Sequence, residues 1–275
     1  MGKSGGERAS LLFDQMGRFL RSCIFAVLSV GPIPAHIAFI MDGNRRYTKK
    51  LDMAEGSGHG FGFSALMSML RYCYELGVKY VTIYAFSIDN FKRRPQEVES
   101  LMDLMEEKIE GLMREESLVN QYGIKVRFIG NLKLLRESVR EAAKKAMMVT
   151  ATNSRAVLSI CIAYTSTDEI ANAVRESCEE KRRGVIDFDG EQEQGVISLV
   201  DVEKKMYMAG ATDPDVLIRT AGETRLSNFL LWQSAYSYIY SPRVLWPEIG
   251  FRHLVWAVLN FQRKHYYLEK KKKQH

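Results

Sequence analysis

Asp42, Gly43, Asn44, Arg45 and Arg46 follow one another at the end of the apolar run Ile37-Ala38-Phe39-Ile40-Met41. A carboxylate, a glycine, an amide and two guanidiniums in succession suit the handling of phosphate and a hard cation. Asp42 offers the oxygen that Mg²⁺ prefers. Gly43 lets the backbone approach a ligand closely. Arg45 and Arg46 can fork onto phosphate oxygens. Ligands of open α/β sheets sit outside the carboxyl ends of strands, and this run would end at such a place. Taken alone, the motif also reads as an edge turn, because Asp-Gly is a common turn pair.

A second cluster repeats the design. Val216-Leu217-Ile218 runs into Arg219, and a Gly-containing loop then leads to Arg225 and Ser227. Two arginines and a hydroxyl within nine residues could grip one diphosphate. Surface ion pairing with Glu223 is the competing reading. It applies to Arg225 more than to Arg219, which follows an apolar run and should sit at a buried strand end.

The elements that must position these clusters alternate in type. Strand-like runs occupy 36–41, 80–86, 125–130, 156–163 and 215–219. Helical patterns lie at 60–76, 95–118, 133–150, 166–182, 199–209 and 251–264. Such alternation predicts a single α/β domain whose mostly parallel central sheet is flanked by helices. The acidic, Gly-punctuated segment 184–195 reads as a surface loop or hairpin. Gly56, Gly58, Gly60 and Gly62 fit neither the dinucleotide register nor a phosphate loop of the P-loop type. They precede a helix whose first N–H groups could still hold phosphate, with His59 beside them. From Glu97 onward, Val98, Leu101, Met102, Met105, Ile109, Leu112 and Met113 share one helical face, the ordinary pattern of core packing.

Composition narrows the partners. The 275 residues are 46% hydrophobic and carry a net charge of +6, so an anionic partner is expected. No basic stripe with interleaved aromatics appears, which speaks against nucleic acid. The four cysteines show no Cys-x-x-Cys spacing, and no Asn-x-Ser/Thr acceptor occurs. Both points suit a reducing, cytosolic face. No signal peptide with a cleavage site is visible. The run Cys23–Val30 is far short of the ~20 residues that span a bilayer. Upstream, Leu11, Leu12, Phe13, Met16, Phe19, Leu20, Ile24, Phe25, Val27 and Leu28 suit one wide apolar helical face. That face predicts either an interfacial membrane helix or a helix packed on the domain or a partner.

These motifs together resemble the cis-prenyltransferase family, the undecaprenyl and dehydrodolichyl diphosphate synthases. The resemblance is carried by His36 to Arg46, Gly58-His59, and Tyr84-Ala85-Phe86-Ser87-Ile88-Asp89-Asn90-Phe91-Lys92-Arg93. It continues through Arg219 to Ser227, Phe229-Leu230-Leu231-Trp232-Gln233 and Leu245-Trp246-Pro247-Glu248. The motifs occur in family order and span residues 34–264. The plant branch, with its dolichol-type and latex rubber-type members, is the most similar.

The resemblance implies condensation of isopentenyl diphosphate onto an allylic diphosphate such as farnesyl diphosphate, with each new double bond cis. It implies a hydrophobic tunnel lined in part by the helix from Glu97. It casts Asp42 as the Mg²⁺ ligand that assists diphosphate departure. Gly43, Asn44, Arg45, Arg46 and His59 would form the allylic diphosphate pocket. Arg219, Arg225 and Ser227 would grip isopentenyl diphosphate. Phe86, Ser87 and Asn90 would shape the reacting region, with Arg93 supporting it electrostatically. Residues 34–265 would form the catalytic domain, 1–33 a membrane- or partner-associating segment and 266–275 a basic tail. The expected location is the cytosolic face of the endoplasmic reticulum, or a rubber particle in a latex-producing plant.

Departures from the family point to a second polypeptide. Bacterial homodimeric members carry Glu at the position of Tyr238 and Arg at that of Glu55. Some members end in an Arg-x-Gly tail, where this chain reads Lys-Lys-Lys-Lys-Gln-His. The resemblance therefore implies a Nogo-B-receptor-like partner subunit that supplies such a tail, with peripheral membrane contact. Ala221 also stands where the family often has Ser. Two rival readings differ in class. One is a non-catalytic scaffold of the same fold. The other is a phosphate-ester hydrolase with Asp42 as metal ligand; it would need further carboxylates near strand ends, and the candidates Asp89 and Asp215 show no clear cluster with it in the sequence.

Overall fold

The computed structural model describes residues 4–53, 58–114, 116–186 and 196–274, except the side chains of 4–14, 58–59 and 184–186. Six parallel strands form one sheet: β1 (His36–Ile40), β2 (Tyr80–Ser87), β3 (Ile124–Ile129), β4 (Ala156–Tyr164), β5 (Val216–Arg219) and β6 (Tyr238–Tyr240). Their order is β3-β4-β2-β1-β5-β6. All five residues of β1 and all four of β5 are buried, as expected for central parallel strands covered on both faces.

The helices are α1 (Ser4–Leu28), α2 (Asn44–Lys50), α3 (Gly58–Leu76), α4 (Pro95–Leu112), α5 (Leu118–Tyr122), α6 (Glu137–Val149), α7 (Ser166–Ile186), α8 (Leu199–Lys205) and α9 (Phe251–Lys272). Apolar spacing explains their seating. Leu254, Ala257, Val258 and Phe261 bury one stripe of α9. Val139, Ala142, Ala143 and Ala146 do so for α6.

Chain order leaves β1 on one side toward β2 and on the other toward β5. Ile40, the last residue of β1, is level with Tyr84 of β2 and with Arg219 of β5. The loops after β1, β2 and β5 therefore open at one edge of the sheet. That edge is a topological switch point, where open α/β sheets place ligands.

Several boundaries differ from the sequence expectation. The predicted helix 95–118 stops at Leu112, because Ser117 caps a separate short helix that Gly123 closes at φ 58°. The predicted helix 133–150 begins only at Glu137, after a 3-10 turn over Leu132–Leu134. The predicted helix 199–209 ends at Lys205. The final helix runs on to Lys272, through most of the expected basic tail. Strand β6 and helix α2 were not expected; three and seven residues are too short for a periodicity to register. Of the expected loop 184–195, Gly184–Ile186 continue α7 and the rest lies outside the described residues.

The N-terminal helix packs on the domain at its C-terminal end and leaves an apolar face uncovered before it. At its C-terminal end, Phe25 and Leu28 are buried, and Phe25 meets Phe251 edge-on at 5.3 Å. Arg21 lies over the Tyr72 ring, and Gln262 Nε2 donates to the Leu28 carbonyl at 2.7 Å. Met16, Phe19, Leu20, Ile24 and Val27 stay exposed. No helix among the described residues is long and apolar enough to cross a membrane.

Candidate active site

Asp42 follows β1 and stands beside Arg219, which ends β5. Arg219 Nη2 donates to Asp42 Oδ2 at 2.8 Å, and Arg46 Nη2 donates to Asp42 Oδ1 at 3.2 Å. The backbone of Asp42 is pinned as well. Its N–H donates to Thr220 Oγ1 at 3.0 Å, while Thr220 Oγ1 donates to the Asp42 carbonyl at 2.6 Å. Trp246 N–H donates to that same carbonyl at 2.9 Å. Gly43 then turns at φ 112°, and a Cβ there would lie 3.0 Å from the Leu245 Cα. Both the backbone sign and the close approach require glycine.

Burial alone would raise the Asp42 carboxyl. The hydrogen bond and charge of Arg219, followed by those of Arg46, outweigh that effect and hold it below the usual carboxylate range. The Asp42 side chain is therefore ionised at neutral pH and clamped between two guanidiniums.

Arg219 is buried, as expected for a strand end. Its Nη1 donates to the Arg225 carbonyl and to Ser227 Oγ, both at 2.6 Å. Its Nε is buried without a hydrogen-bond partner. Arg225 pairs with Glu223, which also meets Arg46 Nη1 at 3.4 Å. The ion pair with Glu223 is therefore real for Arg225, yet it lies inside the cluster. The charges alternate along a chain: Arg219, Asp42, Arg46, Glu223, Arg225.

The cluster opens into a cavity of about 950 Å³, near the upper end of the roughly 300–1,000 Å³ usual for small-molecule sites. Its lining includes Asp42, Gly43, Asn44, Arg45, Arg46 and the loop residues Arg219, Arg225 and Ser227. Phe86, Ser87, Asn90 and Arg93 also line it. Every expected site residue except His59 is thus brought to one cavity; the His59 side chain lies outside the described residues. Apart from Asp89, Lys108, Glu223 and Asn228, the rest of the wall is apolar or aromatic. Leu101, Met105, Ile109 and Leu112 come from α4, and Leu158, Ile160 and Ile162 come from alternate positions of β4. The α4 stripe, readable as plain core, thus faces the cavity.

Local structure fixes the β2 residues. Ser87 and Asn90 form a capping box: Ser87 Oγ accepts from Asp89 N–H at 3.2 Å, and Asn90 Oδ1 accepts from Ser87 N–H at 3.0 Å. Arg93 Nη1 donates to Glu97 Oε1 at 2.8 Å. Gly62 serves packing: a Cβ there would meet Asn44 Oδ1 at 2.4 Å, and its carbonyl accepts from Trp246 Nε1 at 2.8 Å.

The carboxylates that the hydrolase reading would need do not gather. Asp215 accepts from Ala35 and His36 N–H at 2.7 and 2.9 Å, at the opposite end of β1 from Asp42. Asp89 pairs with Lys92 at 2.6 Å. Among the described residues, no group of three His, Cys, Asp or Glu side chains could hold an ion. One carboxylate beside a phosphate site still fits Mg²⁺, which commonly takes one or two carboxylates plus substrate phosphates.

Sequence reasoning gave Thr220, Tyr84 and Trp246 no role of their own and placed Glu223 only as a partner for Arg225. Thr220 clamps Asp42, and only its place after Arg219 hints at this. Glu223 links the two loops. Tyr84 stacks on Phe229 at 4.5 Å and 12°, with its phenol pushed by burial to about 12 and donating to the Tyr164 carbonyl. Trp246 closes the back of the Asp42 turn. Tyr238, where bacterial members have Glu, does not line the cavity; it lies level with Val216, at the start of β5.

Comparison with known proteins agrees with this geometry. Residues 40–268 match the family described as "Putative undecaprenyl diphosphate synthase". The chain is 60% identical to dehydrodolichyl diphosphate synthase 6 of Arabidopsis thaliana, over 98% of this chain and 96% of that one. It is 54% identical to the rubber cis-polyprenyltransferase HRT2 of Hevea brasiliensis, over 97% of each chain. Among solved structures, lavandulyl diphosphate synthase from Lavandula x intermedia in complex with dimethylallyl diphosphate superposes with a TM-score of 0.74. That match has 28% identity and covers 84% of this chain and 95% of the other.

Proposed function

The chain belongs to the undecaprenyl diphosphate synthase family of cis-prenyltransferases, and on that premise we propose that it is the catalytic subunit of a long-chain cis-polyprenyl diphosphate synthase of the dolichol or rubber type. One observation carries the reading: carboxylates and several arginines cluster at one part of a cavity whose remaining wall is mostly apolar. A diphosphate head and a hydrocarbon tail need that combination.

The substrates are isopentenyl diphosphate and an allylic diphosphate such as farnesyl diphosphate. Asn44, Arg45 and Arg46 hold the allylic diphosphate next to Gly43. Arg219, Arg225 and Ser227 hold isopentenyl diphosphate. The allylic C–O bond breaks and its electrons leave with diphosphate, where guanidinium charge already stands in place. The double bond of isopentenyl diphosphate attacks the allylic carbon, and a proton leaves the new chain to a diphosphate oxygen. Adjacent strand ends hold the two substrates side by side, which is a positioning task. Mg²⁺, when bound, would neutralise charge on the departing diphosphate, with Asp42 and phosphate oxygens as its ligands. Phe86, Ser87 and Asn90 bound the reacting region, and the apolar wall from α4 and β4 takes the tail.

We also place the protein on the cytosolic face of the endoplasmic reticulum or on a rubber particle. The support is the exposed apolar face of α1 and the basic end of α9. Residues 1–33 form the associating segment. A Nogo-B-receptor-like subunit completes the enzyme; Tyr238 on the edge strand β6, in place of a carboxylate, is the residue that supports this. A scaffold of the same fold would have no use for the Arg219–Asp42–Arg46 chain. Incorporation of labelled isopentenyl diphosphate with farnesyl diphosphate and Mg²⁺, by the chain alone and with the partner, tests the reading. A cis-polyprenyl ladder only with the partner is expected. A ladder from the chain alone would remove the partner, and none from folded protein in either case would make the scaffold reading correct.

A further inference from the structure

The loop that carries Arg225 and Ser227 has an unusual backbone. Ala221, Ser227, Asn228 and Leu230 all have positive φ, at 70°, 47°, 60° and 45°. Non-glycine residues adopt this region at a cost, so surrounding contacts must hold it. Ala221 N–H is held by the Val244 carbonyl at 2.6 Å, whereas the contacts of the Ser227–Leu231 end converge on the start of α7. The Asn228 carbonyl accepts from Ser166 N–H at 2.8 Å. Asn228 Oδ1 accepts from both Thr167 N–H and Thr167 Oγ1, each at 3.1 Å. Leu231 N–H donates to Ser166 Oγ at 2.9 Å. The first N–H groups of a helix lack intrahelical partners, and here a residue distant in sequence satisfies them. Asn tolerates this backbone region and offers an acceptor, a pairing that few residues provide.

Ser227 Oγ, one residue earlier, accepts from Arg219 Nη1 at 2.6 Å. We propose that Asn228 is the positioning residue of this grip. It locks the loop to the N-terminus of α7, so that Ser227 and Arg219 stay aimed at one diphosphate. This rests on the assignment of the loop to isopentenyl diphosphate.

The test measures calorimetric binding of isopentenyl diphosphate without an allylic primer, so that no turnover is needed, and then KM and kcat in the complete assay. Asn228→Ala removes both hydrogen bonds to Thr167 and should weaken binding and raise KM by about tenfold, within the range for losing hydrogen bonds of this kind, with kcat held within about twofold. Asn228→Gly keeps the backbone freedom and should behave like Ala. Asn228→Asp keeps an acceptor at a helix N-terminus, where negative charge is favoured, and should restore binding. In a Ser227→Ala background, Asn228→Ala should add no further loss. Unchanged binding with a lowered thermal midpoint would overturn the proposal, as would failure of Asp to rescue. Wild-type binding without product would sink prenyl transfer yet leave this test standing. No wild-type binding would remove the loop assignment and this proposal with it.

Discussion

The loop after β1 and the loop after β5 look alike in sequence, each an apolar strand followed by glycine and two arginines, yet they are built in opposite ways. The first passes through one glycine turn into a regular helix, α2, with Arg45 and Arg46 exposed on it. The second buries Arg219 and runs through five residues of positive φ, four of them not glycine, before reaching Leu231. Exposed guanidiniums on a helix can adjust to a ligand. A buried guanidinium held by Ser227, the Arg225 carbonyl and Asp42 cannot move without moving its neighbours. Under the proposed function, the difference would amount to a division of labour: an adaptable grip for the substrate whose tail lengthens at each cycle, and a fixed grip for the five-carbon unit that is the same every time.

The largest expected effect comes from the residue that joins the two loops. Asp42→Ala should lower kcat by about three orders of magnitude, the upper end for loss of one preorganised charge-handling group. Its circular dichroism should match wild type. Turnover near the wild-type rate would break the division, because chemistry would then not pass through the junction.

Arg219→Ala should raise KM for isopentenyl diphosphate and also lower kcat, in total by about a hundredfold, because it removes the buried guanidinium and leaves Asp42 with Arg46 alone. Arg219→Lys should rescue little, since a point charge cannot reproduce the forked contacts to Asp42, Ser227 and the Arg225 carbonyl. Full rescue by Lys would show that the second loop needs only charge, which erases the contrast with the first.

Met105→Trp, on the cavity wall away from both loops, should shorten the product ladder while KM for isopentenyl diphosphate stays within about twofold, because overpacking acts locally. An unchanged ladder would mean that the growing chain does not pass α4.

The smallest effect is on stability. The Asp42 carboxyl, held low by Arg219 and Arg46 against the opposing effect of burial, contributes stability that is complete above its unfolded value of about 3.9. That contribution is lost as pH falls through the lower folded value. The thermal-midpoint difference between wild type and Asp42→Asn should therefore be constant from neutral pH down to about 4 and shrink below. Shrinkage already between neutral pH and the usual carboxylate range would show that the clamp is loose.

What was legible in the sequence depended on the range of the interactions involved. Strand and helix alternation is local, and it placed β1 to β5 within a residue or so. The two arginine clusters were legible because strand-end chemistry is written in consecutive residues. The Thr220 clamp, the Asn228 lock and the Trp246 backing were not, because each joins segments far apart in the chain. Gly62 had no role in the sequence, where the glycines fitted neither phosphate motif; inside α3 it makes room for Asn44. Helix α4 was ambiguous for a physical reason, since an apolar stripe facing a cavity has the same spacing as one facing a core.

The central claim, two distinct diphosphate grips on adjacent strand ends of one cavity, is tested most directly by sequential calorimetry on the complete enzyme. A sulfur-bridged, unreactive analogue of farnesyl diphosphate would be titrated first and isopentenyl diphosphate second, with wild type, Arg46→Ala and Arg219→Ala. The account predicts that wild type binds both. Arg46→Ala should chiefly weaken the analogue, and Arg219→Ala should chiefly weaken isopentenyl diphosphate. Equal loss of both ligands in each variant, or loss of neither, would contradict it.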